Sequence, residues 1–175
     1  MPKYLLNEGE KKLGVGRFKK DYKIIFKKKK INTIKKTIFL SIDSHHNHNN
    51  WSEENYIKLI NILILKKYRI FLNFSPNNKV KFKKTIRMFN KKSVKFTYKL
   101  SFEKIIRLIA YSQFIIGNES GPVCLGAAFD KKVLSLYNPK TTPKSSKVIK
   151  KDVVYINTTN KNYKNILSKI FSFLS

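Results

Sequence analysis

Arginine is nearly missing from a chain crowded with cations: of 38 basic residues in 175, only Arg17, Arg69, Arg87 and Arg107 are arginine. Recognition of phosphates and base edges favours the planar, bidentate guanidinium, so a protein built to read nucleic acid would use more of it. Acidic residues are scarce too, ten in all, and leave a formal charge of +28. Such a charge speaks to solubility and electrostatic steering before it speaks to function. Asn, Ile, Lys, Phe and Tyr are inflated together, and all five have A/T-rich codons. A biased genome raises them without any polyanionic partner, which argues against nucleic acid. The one cysteine, Cys124, excludes an internal disulfide and fits a reducing compartment. No run approaches the roughly 20 apolar residues that cross a bilayer; the densest, "LINILIL", lies in a helical pattern. The first residues, "MPKYLLNEGEKKLGVGRF", carry charge where a secretion signal needs an apolar stretch. The expected location is cytoplasmic, with lysines that draw the protein to an anionic membrane surface.

What is present is a globular composition, 42% hydrophobic and 13% aromatic, at a length that suits one domain. From residue 37 onward short apolar runs alternate with helical patterns. "TIFLSI" (37–42), "RIFLNF" (69–74), "SVKFTY" (93–98), "QFIIGN" (113–118), "KKVLSLY" (131–137) and "VVYIN" (153–157) read as strands. Between them, residues 52–68 place Tyr56, Ile57, Ile60, Leu63 and Ile64 at helical spacing behind a Ser52 N-cap. A weaker helix is expected over 77–90, another after a Ser101 cap, a short one of small residues over 121–129, and an amphipathic one over 162–174. This alternation predicts an α/β, Rossmann-like parallel sheet with helices on both faces, because parallel strands need crossovers. Ligands in such sheets bind at the carboxyl ends of the strands. Residues 1–36 stand outside the pattern and read as a linker or lead-in, with Ile24 to Phe26 expected to pack as an edge strand; the domain proper is 37–175.

One segment differs from its surroundings. "IIGNESGPVCLGAAF" (115–129) has no Lys or Arg, and seven of its fifteen residues are Gly, Ala, Ser or Pro. Gly117 to Gly121 falls where a strand ends and a helix begins. A helix's first turn offers unpartnered N–H groups and a dipole that favours an anion. Ser120 adds a hydroxyl, Gly121 permits close approach, and Pro122 suits the first turn, where its missing N–H costs nothing. Together they predict a phosphate cradle that needs no cationic side chain. Glu119 would repel phosphate unless it reaches past it to sugar hydroxyls; the other reading is a turn glutamate that caps the helix.

At these residues the sequence resembles the family-9 glycosyltransferases, the ADP-heptose:lipopolysaccharide heptosyltransferases. The family's pattern is a strand, Asp-Ser/Thr-Gly-Pro/Leu, a His, small Ala-rich residues, a second strand and a proline loop. Glu119-Ser120-Gly121-Pro122 takes the acidic motif, Leu125 to Ala128 the small helix, Val133 to Tyr137 the strand, and Asn138-Pro139-Lys140-Thr141 the donor-side loop. Upstream, Trp51 matches the family's tryptophan at the end of the loop after the first strand. The chain departs from the pattern in having Glu119 for Asp, Cys124 for His, Asn50 for a basic residue and Ser52 for proline. The resemblance covers roughly 37–157 and implies the C-terminal half of a GT-B enzyme, which binds a nucleoside-diphosphate-sugar donor such as ADP-heptose. It also implies a lipopolysaccharide, glycan or lipid-linked acceptor. The catalytic base would come from an N-terminal domain, so the chain would need a partner half to turn over; a non-catalytic binding module is the alternative. Implied donor-binding residues are Asn118, Glu119, Ser120, Gly121, Pro122, Lys140, Thr141, Trp51 and His48.

Two other groupings compete for attention. "DSHHNHNNW" holds all three histidines, His45, His46 and His48, with Asp43 beside them. Adjacent histidines in an extended segment point to opposite faces, which disfavours a tetrahedral zinc site, so no metal and no cofactor are expected. Cys124 near a helix start has a nucleophile's position, but lone cysteines mostly pack, and packing is the expectation here.

Overall fold

Apolar residues occupy both odd and even positions of the predicted strands, as a sheet covered on both faces requires. The computed structural model describes residues 32–43, 51–89, 93–138, 152–159 and 162–175. Among them are six strands: β1 (Ile34–Ser41), β2 (Arg69–Asn73), β3 (Val94–Phe96), β4 (Ser112–Asn118), β5 (Lys132–Tyr137) and β6 (Val153–Asn157). All pair in parallel in the order β3-β2-β1-β4-β5-β6. Helices α1 (Glu53–Leu65), α2 (Lys83–Met88), α3 (Phe102–Tyr111), α4 (Gly121–Ala128) and α5 (Tyr163–Leu174) join or follow them.

The strand pleat divides the core in two. Ile38 and Leu40 of β1, with Ile70 and Leu72 of β2 and Phe114 and Ile116 of β4, pack under α1, α2 and α5. The alternate residues Phe39, Phe71, Ile115 and Val133 meet α3 and α4 through Ile109, Val123 and Ala127. Helices therefore cover both faces, as the sequence predicts. Ser52 caps α1 as expected, its Oγ accepting from Asn55 N–H at 3.3 Å.

Three local expectations need revision. The helix over 77–90 shrinks to Lys83–Met88, preceded by a 3-10 turn at Pro76–Asn78. Proline and paired asparagines favour a turn there, and the Asn78 amide is bonded to Asp43. Ser101 stands at the N-cap position of α3 but makes no capping bond with its side chain. Strand β1 begins at Ile34, where Lys36 adopts a left-handed φ of 53° and the register to β4 slips between Ile34 and Ile38. The segment from Ile24 to Phe26 lies outside the described residues.

Two glycines set how closely the layers meet. A Cβ on Gly117 would stand 2.2 Å from the Ser41 carbonyl oxygen, and one on Gly126 2.7 Å from Ile115 Cγ1. The first contact brings the ends of β1 and β4 together; the second lets α4 lie close to the sheet. Gly117→Ala is expected to destabilise the fold by about 3 kcal/mol or more, since backbone rather than a mobile side chain must yield. Chemical denaturation of the two proteins measures it.

Candidate functional site

From β1 the chain crosses to β2 on one side, while from β4 it crosses to β5 on the other. Loops leaving the adjacent carboxyl ends of β1 and β4 therefore diverge, and a crevice opens between them. A cleft of about 620 Å³ lies here, walled by Ser41 and Asp43 at and beyond the end of β1, residues 73–78 at and beyond the end of β2, Tyr98 and Leu100 after β3, Phe102 and Ile105 of α3, and Ser120 and Pro122 at α4.

Ser120 has extended backbone (φ −159°, ψ 165°) and its carbonyl accepts from Val123 N–H (3.0 Å) and Cys124 N–H (3.1 Å). Its hydroxyl does not cap α4 and instead lies 3.2 Å from Ser41 Oγ across the crevice. The N–H groups of Ser120 and Gly121 have no partner among the described residues. Gly121 is exposed, and a Cβ there would meet nothing within 4 Å. Two adjacent donors at an exposed helix N-terminus form an anion-binding arrangement. Glu119 precedes them, half-buried, its N–H donating to Leu136 O at 3.1 Å.

Asn118 turns inward. It is fully buried; its Nδ2 donates to Ile42 O (2.9 Å) and its Oδ1 accepts from Tyr56 Oη (2.7 Å) and Trp51 N–H (3.2 Å). Burial pushes the Tyr56 phenol well above its ordinary range, the bond to Asn118 pulls it partly back, and the Asp43 charge raises it again. Tyr56 is thus a permanent donor. Trp51 is 6% exposed, stacked on Tyr163 at 5.6 Å and edge-on to Tyr56 at 5.1 Å. Both residues brace the cleft from behind. His48, Lys140 and Thr141 lie outside the described residues, in segments that leave the carboxyl ends of β1 and β5.

Cys124 is exposed on α4 and does not pack as the sequence suggests. Crowding around the sulfur raises its thiol pKa, and the neighbouring Glu119 charge raises it further. That opposes a nucleophile's role. Among the described residues no three of His, Cys, Asp and Glu gather as a metal site would need. Ser41, Asn73 and Tyr98 line the cleft yet belong to no motif in the sequence, and Asp43 stands out there only as an acid beside the histidines. Their signal was position: each stands at or just past the carboxyl end of a strand.

The sequence model of glycosyltransferase family 9 (heptosyltransferase) matches residues 7–169. No curated protein matches the chain. Among solved structures, E. coli heptosyltransferase WaaC with ADP is 22% identical, with a TM-score of 0.67 over 78% of this chain and 43% of that one. WaaC with ADP-2-deoxy-2-fluoro heptose is 20% identical, with a TM-score of 0.68 over 95% of this chain and 53% of that one. E. coli ADP-heptose lps heptosyltransferase II is 14% identical, with a TM-score of 0.68 over 99% and 52%. The chain thus spans about half the length of these structures.

Two outcomes are expected from this geometry. Asn118→Ala strips the acceptor shared by Trp51 N–H and Tyr56 Oη and the donor to Ile42 O, and is expected to cost about 3 kcal/mol in urea unfolding. The rate of Cys124 alkylation against pH is expected to have its midpoint above that of a free cysteine, and Glu119→Gln should move it down. With one cysteine in the chain, the readout has a single source.

Proposed function

The chain belongs to glycosyltransferase family 9, and from that premise we propose that this domain binds a nucleoside-diphosphate-sugar donor in the cleft at the end of β4. The observation that carries the reading is the pair of N–H groups at Ser120 and Gly121, without partners among the described residues, at the exposed start of α4. These donors and the helix dipole hold the diphosphate. Glu119 takes hydroxyls of the transferred sugar; Pro122 shapes the cleft wall. His48, Lys140 and Thr141 are assigned to the donor by the family's motif, while Asn118 and Trp51 position the cleft without lining it.

Transfer then follows from charge. The acceptor hydroxyl attacks the anomeric carbon, the bond from that carbon to the diphosphate oxygen breaks, and the hydroxyl proton passes to a base. The negative charge that develops on the departing diphosphate is met by the N-terminus of α4 and by lysines, so no metal is required for this step. The base and the acceptor site, for a glycan or lipid-linked hydroxyl, belong to a second Rossmann-like half. That this chain spans 43% to 53% of the heptosyltransferases it resembles favours a second reading, a donor-binding module that works only with such a half. Attraction to an anionic membrane is supported by the exposed Lys79, Lys83, Lys84 and Arg87 beside exposed Val80 and Met88, at about 1 kcal/mol per cation near the surface.

Gly121→Asp tests the cradle. The open space around Gly121 admits the side chain, so the melting temperature is expected to hold while calorimetric affinity for ADP falls at least about tenfold, through repulsion of the diphosphate. Unchanged ADP affinity in the variant would move the anion site away from α4.

A further inference from the structure

Away from the cleft, one depression of the surface gathers four cations around a single acid. It measures about 530 Å³ and is lined by Lys81, Lys83, Lys84 and Arg87, by Val80 and Met88, and by Glu53. The acid is already engaged, its Oε1 accepting from Thr85 N–H at 3.0 Å and Thr85 Oγ1 at 2.6 Å. Among the described residues Lys83, Lys84 and Arg87 make no side-chain hydrogen bond and no ion pair. Lys83 and Arg87 stand four apart on α2, where like charges repel, so the helix carries a local cost that an anion would remove. Underneath, Phe82, Thr85 and Phe89 are buried and hold this outer face on a fixed base. Two large apolar side chains stand among the cations, Val80 at 84% exposure and Met88 at 43%. Helix α5 makes the contrast: Lys164 and Lys169 are exposed there, with no large hydrophobic exposed beside them on that helix.

We infer that this depression is a discrete seat for an anionic bilayer, with headgroup phosphates between Lys83, Lys84 and Arg87 and with Val80 and Met88 entering among the lipids. The inference rests on the membrane attraction stated above and narrows it from a diffuse pull to one face. A surface that mixes cations with exposed apolar side chains fits an amphiphile better than a soluble polyanion, which offers nothing to Val80. Arg87, one of only four arginines in the chain, adds the paired donors that match a phosphate. The position of the seat gives the contact a consequence. Pro76, Asn77 and Asn78 line the cleft, and Lys79 and Val80 follow them directly. Lys79 Nζ lies 5.9 Å from the ring centre of Tyr98, another residue of the cleft wall. Two residues of chain span at most about 7 Å, so the rim of the cleft meets the bilayer when the seat does. A lipid-linked hydroxyl then reaches the cleft without leaving the membrane.

The test is sedimentation of the full chain with vesicles of phosphatidylcholine, alone or with phosphatidylglycerol added, at fixed ionic strength. The wild type is compared with Lys83→Gln/Lys84→Gln/Arg87→Gln and with Val80→Ser/Met88→Ser. A control removes the same charge elsewhere, from α1 and α5, as Lys58→Gln/Lys164→Gln/Lys169→Gln. Every substituted position is exposed, and thermal melting checks that each variant is folded. The wild type is expected to bind only vesicles that contain phosphatidylglycerol. Partitioning should fall about a hundredfold in the α2 variant and about tenfold in the apolar one. The control should lose less than about threefold, its charges being screened from the contact. Equal losses in the α2 variant and the control would overturn the seat and leave the diffuse attraction standing. Wild-type binding by the apolar variant would overturn the insertion of Val80 and Met88, and with it the seat as drawn. Release by inorganic phosphate, beyond that caused by chloride at the same ionic strength, would overturn the bilayer as occupant and assign the depression to a soluble phosphate. Absence of wild-type binding to either vesicle would overturn the membrane reading itself.

Discussion

The amide of Asn118 ties together the three pieces of chain that must meet for the cleft to exist. It sits at the last position of β4, reaches across to the carbonyl of Ile42 just beyond β1, and takes the backbone N–H of Trp51 and the phenol of Tyr56, which open and line α1. In water each of these bonds would be worth little; inside the core an unmet donor or acceptor carries its full desolvation cost. The arrangement is therefore all-or-none. With it in place, the end of β4 is fixed against the end of β1, and Glu119, Ser120 and Gly121 emerge on a rigid base rather than from a free loop.

The neutral character of the 115–129 segment follows from the same geometry. A lysine at the crevice would have to be accommodated between strands so close that Gly117 has no room for a methyl group. Backbone N–H groups supply the positive end of the site without occupying space, while the surrounding lysines provide a diffuse attraction for anions at longer range. In the proposed site the two tasks are separate: many cations give a diffuse attraction for anions, and two amides would hold one group of the ligand.

Much of this was legible in the sequence. Strand and helix alternation fixed the fold class because parallel strands leave long, evenly apolar runs, and the residues 117–122 declared themselves through glycine, serine and proline at a strand-to-helix junction. Helix ends were harder to see. α1 and α4 both close with paired bonds, Tyr68 N–H to Leu63 O with Lys67 N–H to Ile64 O, and Lys131 N–H to Gly126 O with Asp130 N–H to Ala127 O. The left-handed position in each is filled by Lys67 and Asp130 instead of glycine, so the usual stop signal is missing. Side-chain direction was harder still. Asn118 and Glu119 are neighbours in the motif, yet one faces the core and the other the half-open surface, and nothing in their spacing distinguishes a brace from a ligand-facing group. Asp43 was visible as an acid but not as part of the cleft wall, because its partners Ser75 and Asn78 lie more than thirty positions away.

The pairing of β1 with β4 has a kinetic meaning as well. Ser41 and Ser120, which face each other at 3.2 Å, are 79 positions apart in the chain, and closing a loop of that length costs roughly 4 kcal/mol of chain entropy before any contact repays it. Long-range parallel pairing of this kind is the slow event in assembling a sheet. The crevice is created by that same closure, so a ligand that needs both of its walls finds no site until the ladder has formed. Such a ligand cannot hasten folding; it can only hold the finished sheet closed, and its effect would be felt in how slowly the protein comes apart.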